Sequence, residues 1–211
     1  PTVIVTGKHR NPDDATSLGS PNRHAECQDC HNTHQSKKGL HTPGGNRVSE
    51  VLLGVRGVSP DPANEWEQPT SFSERNPATE ENQICFRCHS AYALGQVPNG
   101  VTAIIGQENI NITDQAMEFN PVNHSAHPVR EALSTRPLTA AQMTPDWNNV
   151  GNQTMYCSDC HGNDEGTSST VPQGPHGSIA QFMLTGQRKL WPAGSNGQLW
   201  TLNDLRTGVV W

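Results

Sequence analysis

Apolar and aromatic side chains are scarce in this chain of 211 residues: hydrophobic residues make up 32% and aromatics 5%. Even with the 19 glycines counted as apolar the share reaches only about 41%, below the roughly 45–50% of an ordinary soluble domain. That shortage argues against a core built from side chains alone, so some other group is expected to fill the interior. No apolar run approaches the roughly 20 residues that cross a bilayer, the longest being segments such as residues 101–105, and no membrane span is expected. No run of lysine and arginine exceeds two residues and the net charge is −6, which argues against nucleic acid as a partner. A charged leader followed by an apolar stretch is missing as well. With Pro1 in place of a starting Met, the expectation is the mature form of an exported protein.

What the chain does have is a recurrence. Cys27-Gln28-Asp29-Cys30-His31, Cys85-Phe86-Arg87-Cys88-His89 and Cys157-Ser158-Asp159-Cys160-His161 share one pattern and use all six cysteines. The spacing has a chemical reason. Two thiols one helical turn apart can add to the two vinyl groups on one side of a porphyrin, and the next residue presents an imidazole to the iron. The pattern therefore points to three covalently bound c-type haems, with His31, His89 and His161 as proximal ligands. A zinc site built from paired Cys-x-x-Cys elements wants about 15–20 residues between its halves, far fewer than separate these motifs. A thioredoxin-like dithiol or a set of disulfides leaves the histidine after every pair unexplained.

Haem propionates make the loaded protein more acidic than its side chains, which allows steering towards cationic partners. Covalent attachment is carried out outside the cytoplasm, so a periplasmic or extracellular location is expected. The segments between motifs share no similarity, and the whole chain, 1–211, reads as one trihaem domain with haem segments around 24–34, 83–94 and 155–178.

Prolines and glycines are frequent enough to keep regular elements short. The expected fold is mostly coil with short α-helices and little β, its core formed by packed haems. Residues 83–94 read as a helix stopped by Gly95, residues 114–119 as a turn capped by Thr113, and residues 179–185 as a helix entered through Ser178 with Gln181 three positions on. Strands are expected at 2–5 and 101–105, the second after the turn dipeptide Asn99-Gly100. The stretches 11–14 and 59–62 read as loops.

Low-spin electron-transfer haems take a second axial ligand, His or Met. Seven histidines remain after the proximal three, against four methionines that serve more often as gap-fillers. Histidine on both faces is therefore expected.

Three further segments carry a family resemblance: Asn32-Thr33-His34 after the first motif, Phe119-Asn120-Pro121 leading into His127-Pro128-Val129, and Gly174-Pro175-His176-Gly177-Ser178 after the third. The chain resembles multihaem c-type cytochromes of metal-reducing and related bacteria. That resemblance implies His34, His127 and His176 as distal ligands, with His24, three residues before Cys27, and His9 as reserves. His124 stands where a small residue is more usual in the family, and with His41 it reads as a surface or supporting residue.

With every axial position supplied, the chain is expected to transfer electrons and to have no enzymatic activity of its own. Its partners would be other redox proteins or extracellular acceptors. An oxidoreductase subunit with one open haem and a monomeric soluble shuttle are the alternatives. A polymer of subunits is a further expectation: the chain resembles filament-forming cytochromes in which a distal His is donated in trans, and His9 lies near a chain end. Trp191, Trp200 and Trp211 make the segment 186–211 a packing or interface element. Asn163-Asp164-Glu165 is a weak candidate for a calcium ion. Three sequons, at Asn111, Asn123 and Asn152, are assigned no function.

Overall fold

The computed structural model describes residues 26–39, 41–42, 44–94, 102–105, 108–111, 114–133, 139–143, 147–162 and 174–176. Most of them are in turns and irregular segments. The described helices are single turns or little more: α1 (Cys27–Cys30), α2 (Glu81–Cys85), α3 (Ala91–Leu94), α4 (Gln115–Glu118) and α5 (Cys157–Cys160), with 3₁₀ turns at Glu50–Leu52 and Ala140–Gln142. Two antiparallel hairpins supply the strands, β1 (Gly57–Pro60) with β2 (Phe72–Arg75) and β3 (Thr102–Ile105) with β4 (Glu108–Asn111). The expected mixture of coil, short helices and little β is what the described residues adopt.

The chain divides into two compact units, Pro12–Cys157 and a second made of Pro1–Asn11 with Ser158–Trp211. In the larger unit, helix α2 and the turn after it carry apolar side chains into two small clusters. Ile84 joins Val55 and Ala78, with Val48 and Leu52 packed against them. Phe86, inside the second motif, joins Val58 and Ala116, flanked by Phe72 and Phe119. Burying Phe86 and Val58 contributes about 1.5–3 kcal/mol each. The second motif is thus the anchored one. In the smaller unit, Gly174 turns with φ of +76°, and the His176 amide donates to its carbonyl at 2.9 Å. That backbone region favours glycine.

With so little apolar mass, loops are tied down by asparagine. Asn82 on α2 and Asn46 both donate from Nδ2 to the Val129 carbonyl, at 3.0 and 3.1 Å, and Asn46 also reaches the Arg130 carbonyl at 3.0 Å. Asn120 donates to the Ala63 and Asn64 carbonyls at 3.2 and 3.0 Å. Fully buried Asn123 donates to the Met117 and Glu118 carbonyls at 2.8 and 3.2 Å and accepts the Trp66 amide at 2.8 Å. Each amide brings a side-chain donor to main-chain carbonyls in irregular segments or at a helix end.

Three local expectations are corrected. The helix expected over 83–94 begins at Glu81 and breaks into α2 and α3, because buried Ser90 intervenes: its Oγ donates to the Phe86 carbonyl at 2.5 Å and accepts the Tyr92 amide at 3.2 Å. A side chain that completes one run and caps the next separates them. Helix α4 is capped by Asp114, whose Oδ1 accepts the Ala116 amide at 2.8 Å, so the cap lies one residue beyond Thr113. Ser59 and Pro60 are not loop but the end of β1, where a proline at the last pair of a two-stranded ribbon removes little from the ladder. Strand β3 forms within the expected 101–105. The expected elements at 2–5, 11–14 and 179–185 lie outside the described residues.

Candidate functional site

The first motif is a single helical turn. Glu26 caps α1 and its amide donates to Asp29 Oδ2 at 2.8 Å, while the His31 amide closes the turn on the Cys27 carbonyl at 2.8 Å. Residues three apart on a helix are neighbours, so the thiols of Cys27 and Cys30 lie on one side of the turn. The ring of half-buried His31 is held by its Nδ1, 2.9 Å from the Val51 carbonyl, which also accepts the Ser36 hydroxyl at 2.9 Å. A carbonyl only accepts, so Nδ1 carries the proton and Nε2 the lone pair that a metal takes. That is the usual way a protein orients a ligating imidazole. Beside it opens a cavity of about 320 Å³ lined by His31, Asn32, Gly54, Val55, Arg56 and Arg87, among others.

The second motif shares the backbone turn, but its His89 is exposed. Its turn follows α2 directly, with the Cys88 and His89 amides donating to the Cys85 carbonyl at 3.1 and 3.0 Å. The carbonyl of His89 in turn accepts the Gln115 amide at 3.0 Å, joining the motif to α4. The third motif places Cys157 and Cys160 at the ends of helix α5, with His161 half-buried after it. Cys27, Cys30, Cys85 and Cys157 form no disulfide.

Cysteines of different motifs approach one another. The Sγ atoms of Cys85 and Cys157 and a carboxylate oxygen of buried Glu81 lie within 4.8 Å of one another. The hydrogen bond with Cys157 and then burial push the Cys85 thiol well up. Cys30 is an exposed residue, but its sulfur faces protein: burial, then the neighbouring Cys88 and Asp29, push its thiol up to about 11. These are thiols held in their neutral form, unlike a nucleophilic cysteine, whose thiol is lowered.

The expected distal histidines occupy different settings. His34 is exposed two residues beyond Asn32, whose Oδ1 accepts its amide at 3.0 Å. His127, also exposed, lines a cavity of about 520 Å³ with Trp66, Gln115, Glu118 and Phe119. Its segment is tied to α2 by Asn82 and to the stretch before Cys157 by the Met155 amide, which donates to the Pro128 carbonyl at 3.0 Å. His176 is half-buried in the smaller unit. His9 and His24, the three C-terminal tryptophans and the acidic triplet Asn163-Asp164-Glu165 lie outside the described residues. His124 is at the surface, paired through Nδ1 with Glu65, whose carboxyl its amide and ring hold below the usual range. His41 is more enclosed than a surface residue: its ring stacks on buried Tyr156 with centroids 4.2 Å apart, next to Cys157.

Sequence reasoning missed the residues that support the motifs. Val51 acts through a backbone carbonyl and has no signature. Arg87 fills a variable position of the second motif, yet its guanidinium reaches the first. Glu81 precedes Cys85 by one helical turn, a spacing that could have flagged it. No protein-family model, no curated protein and no solved structure matches the chain. Among the described residues no helix is long and apolar enough to cross a membrane.

Proposed function

We propose that the protein transfers electrons through three covalently attached haems, each bound by one Cys-x-x-Cys-His motif, in the periplasm or outside the cell. The observation that carries this reading is the first motif's geometry: paired thiols on one helical turn, closed by the amide of a histidine whose Nδ1 proton is given to Val51. A haem so held supplies a one-electron iron couple. The thiols of Cys27, Cys30, Cys85, Cys88, Cys157 and Cys160 would anchor the three groups, and the imidazoles of His31, His89 and His161 would take the near axial positions. His34, His127 and His176 are the proposed far ligands. With ten histidines for six axial positions, the chain can close every iron to substrate, which favours electron transfer over catalysis. The small apolar clusters beside the second motif support a fold completed by its cofactors. The purified native protein is expected to exceed its polypeptide mass by three haems and to carry three irons.

A second reading has one observation behind it. Glu81, Cys85 and Cys157 together offer three ligands of a tetrahedral metal site, both thiols giving up their protons to the metal. The same measurement separates the two. A bare polypeptide mass with stoichiometric zinc selects the metal site and removes the haem reading.

A further inference from the structure

The second motif contributes more than its own attachment point. Arg87, between Cys85 and Cys88, extends its side chain to the first motif. Its Nη1 donates to the Asp29 carbonyl at 2.9 Å and to the Arg56 carbonyl at 3.3 Å, and Nη2 lies 3.6 Å from the Asp29 carboxylate. Asp29 stands between Cys27 and Cys30, so a residue inside one Cys-x-x-Cys grips the main chain inside another. Only 17% of the Arg87 side chain is exposed, which removes most of the solvent competition that weakens surface pairs. A planar guanidinium can hold two carbonyls and a carboxylate at once, which a lysine ammonium on a flexible stem cannot reproduce.

We propose that Arg87 is a positioning residue that sets the separation of the first and second haems by clamping their attachment turns together at Asp29. The inference rests on the trihaem reading above and deepens it. Both turns carry their attachment cysteines beside the clamp, so electron exchange between the two haems they would hold would depend on this contact. Nothing in the sequence pattern requires it, because the position between the cysteines is free in the attachment chemistry.

The test uses the mature holoprotein, oxidised, with intact mass and low-temperature electron paramagnetic resonance measured together. Magnetic coupling between neighbouring irons falls steeply with distance and reports their spacing independently of turnover. Wild type is expected to show two mutually broadened low-spin signals. Arg87→Met, which keeps the stem and removes the donors, is expected to retain three haems by mass while that broadening is lost. Arg87→Lys, with the charge but one donor group, is expected to fall between them, and Arg75→Ala at the exposed end of β2 to match wild type. Three haems with wild-type coupling in Arg87→Met overturn the clamp and leave the trihaem reading standing. A wild-type protein without haem removes that reading itself. If Arg87→Met does not mature, Arg87→Lys decides: partial loss of coupling supports the clamp, and wild-type coupling overturns it.

Discussion

Replacing Asn123 by Ala tests whether buried asparagine amides hold the loops around the proposed haem sites. The side chain is fully buried and makes three hydrogen bonds to main chain: two donated, to the Met117 and Glu118 carbonyls at the end of α4, and one accepted from the Trp66 amide. Alanine removes all three and takes this partner from the Glu118 carbonyl and the Trp66 amide, while the Met117 carbonyl keeps the Asn120 amide at 3.1 Å. At about 1 kcal/mol of net worth per hydrogen bond, with a further 1–3 kcal/mol for a carbonyl left unsatisfied, the loss comes to roughly 4–6 kcal/mol. Trp66 adds to it, because its φ of +56° is a region that a bulky residue occupies only when neighbours hold it there. Trp66 and His127 line one cavity, so the damage should reach the histidine's surroundings as well as the global stability. Urea titration of the holoprotein, followed by far-ultraviolet circular dichroism and by the visible absorbance, measures both. Asn123→Asp is the sharper variant, since it keeps an acceptor for Trp66 but points an anion at two carbonyls. A loss below about 0.5 kcal/mol in Asn123→Ala, the range of an ordinary surface substitution, would refute the account.

Gly57→Ala at the start of β1 should cost about 1–3 kcal/mol, because an added Cβ would stand 2.8 Å from Gln83 Cβ and 2.9 Å from both the Ala78 Cβ and the Gln83 backbone; an unchanged denaturation midpoint would contradict that packing. Asp61 closes the first hairpin by accepting the Ser71 and Ser73 hydroxyls at 2.7 and 2.8 Å, and these bonds lower its pKa below 3.8. A carboxyl whose folded pKa is depressed adds stability above its unfolded value and loses it as the pH falls through the folded one. The stability gap between wild type and Asp61→Asn should therefore hold steady above about pH 5 and close below 3.8, as read from denaturation midpoints across that range; a gap that persists at the acid end would show that the charge plays no part.

The turns of the candidate site were legible without coordinates because their requirements are local. Two thiols and an imidazole within five residues need only one helical turn, and α1, the turn after α2, and α5 supply it. The general character of the fold was legible for a related reason: too few apolar residues and too many turn formers leave little material for long elements. Boundaries were less legible where one polar side chain changes the outcome, as Ser90 does in dividing α2 from α3 and Asp114 does in taking the cap from Thr113. Pro60 misled because a two-stranded ribbon tolerates proline at its end.

Motif spacing along the chain determined, by itself, where attachment chemistry is expected and which histidines follow it, since those requirements involve neighbouring residues. Tertiary structure alone decided that Val51 orients His31, that Arg87 ties the second motif to the first, that Asn82 and Asn46 anchor the segment bearing His127, and that Cys85, Cys157 and Glu81 converge. Those relations join residues from 20 to more than 80 positions apart. Most of them run through main-chain carbonyls, which every residue carries alike, so no side-chain pattern could announce them.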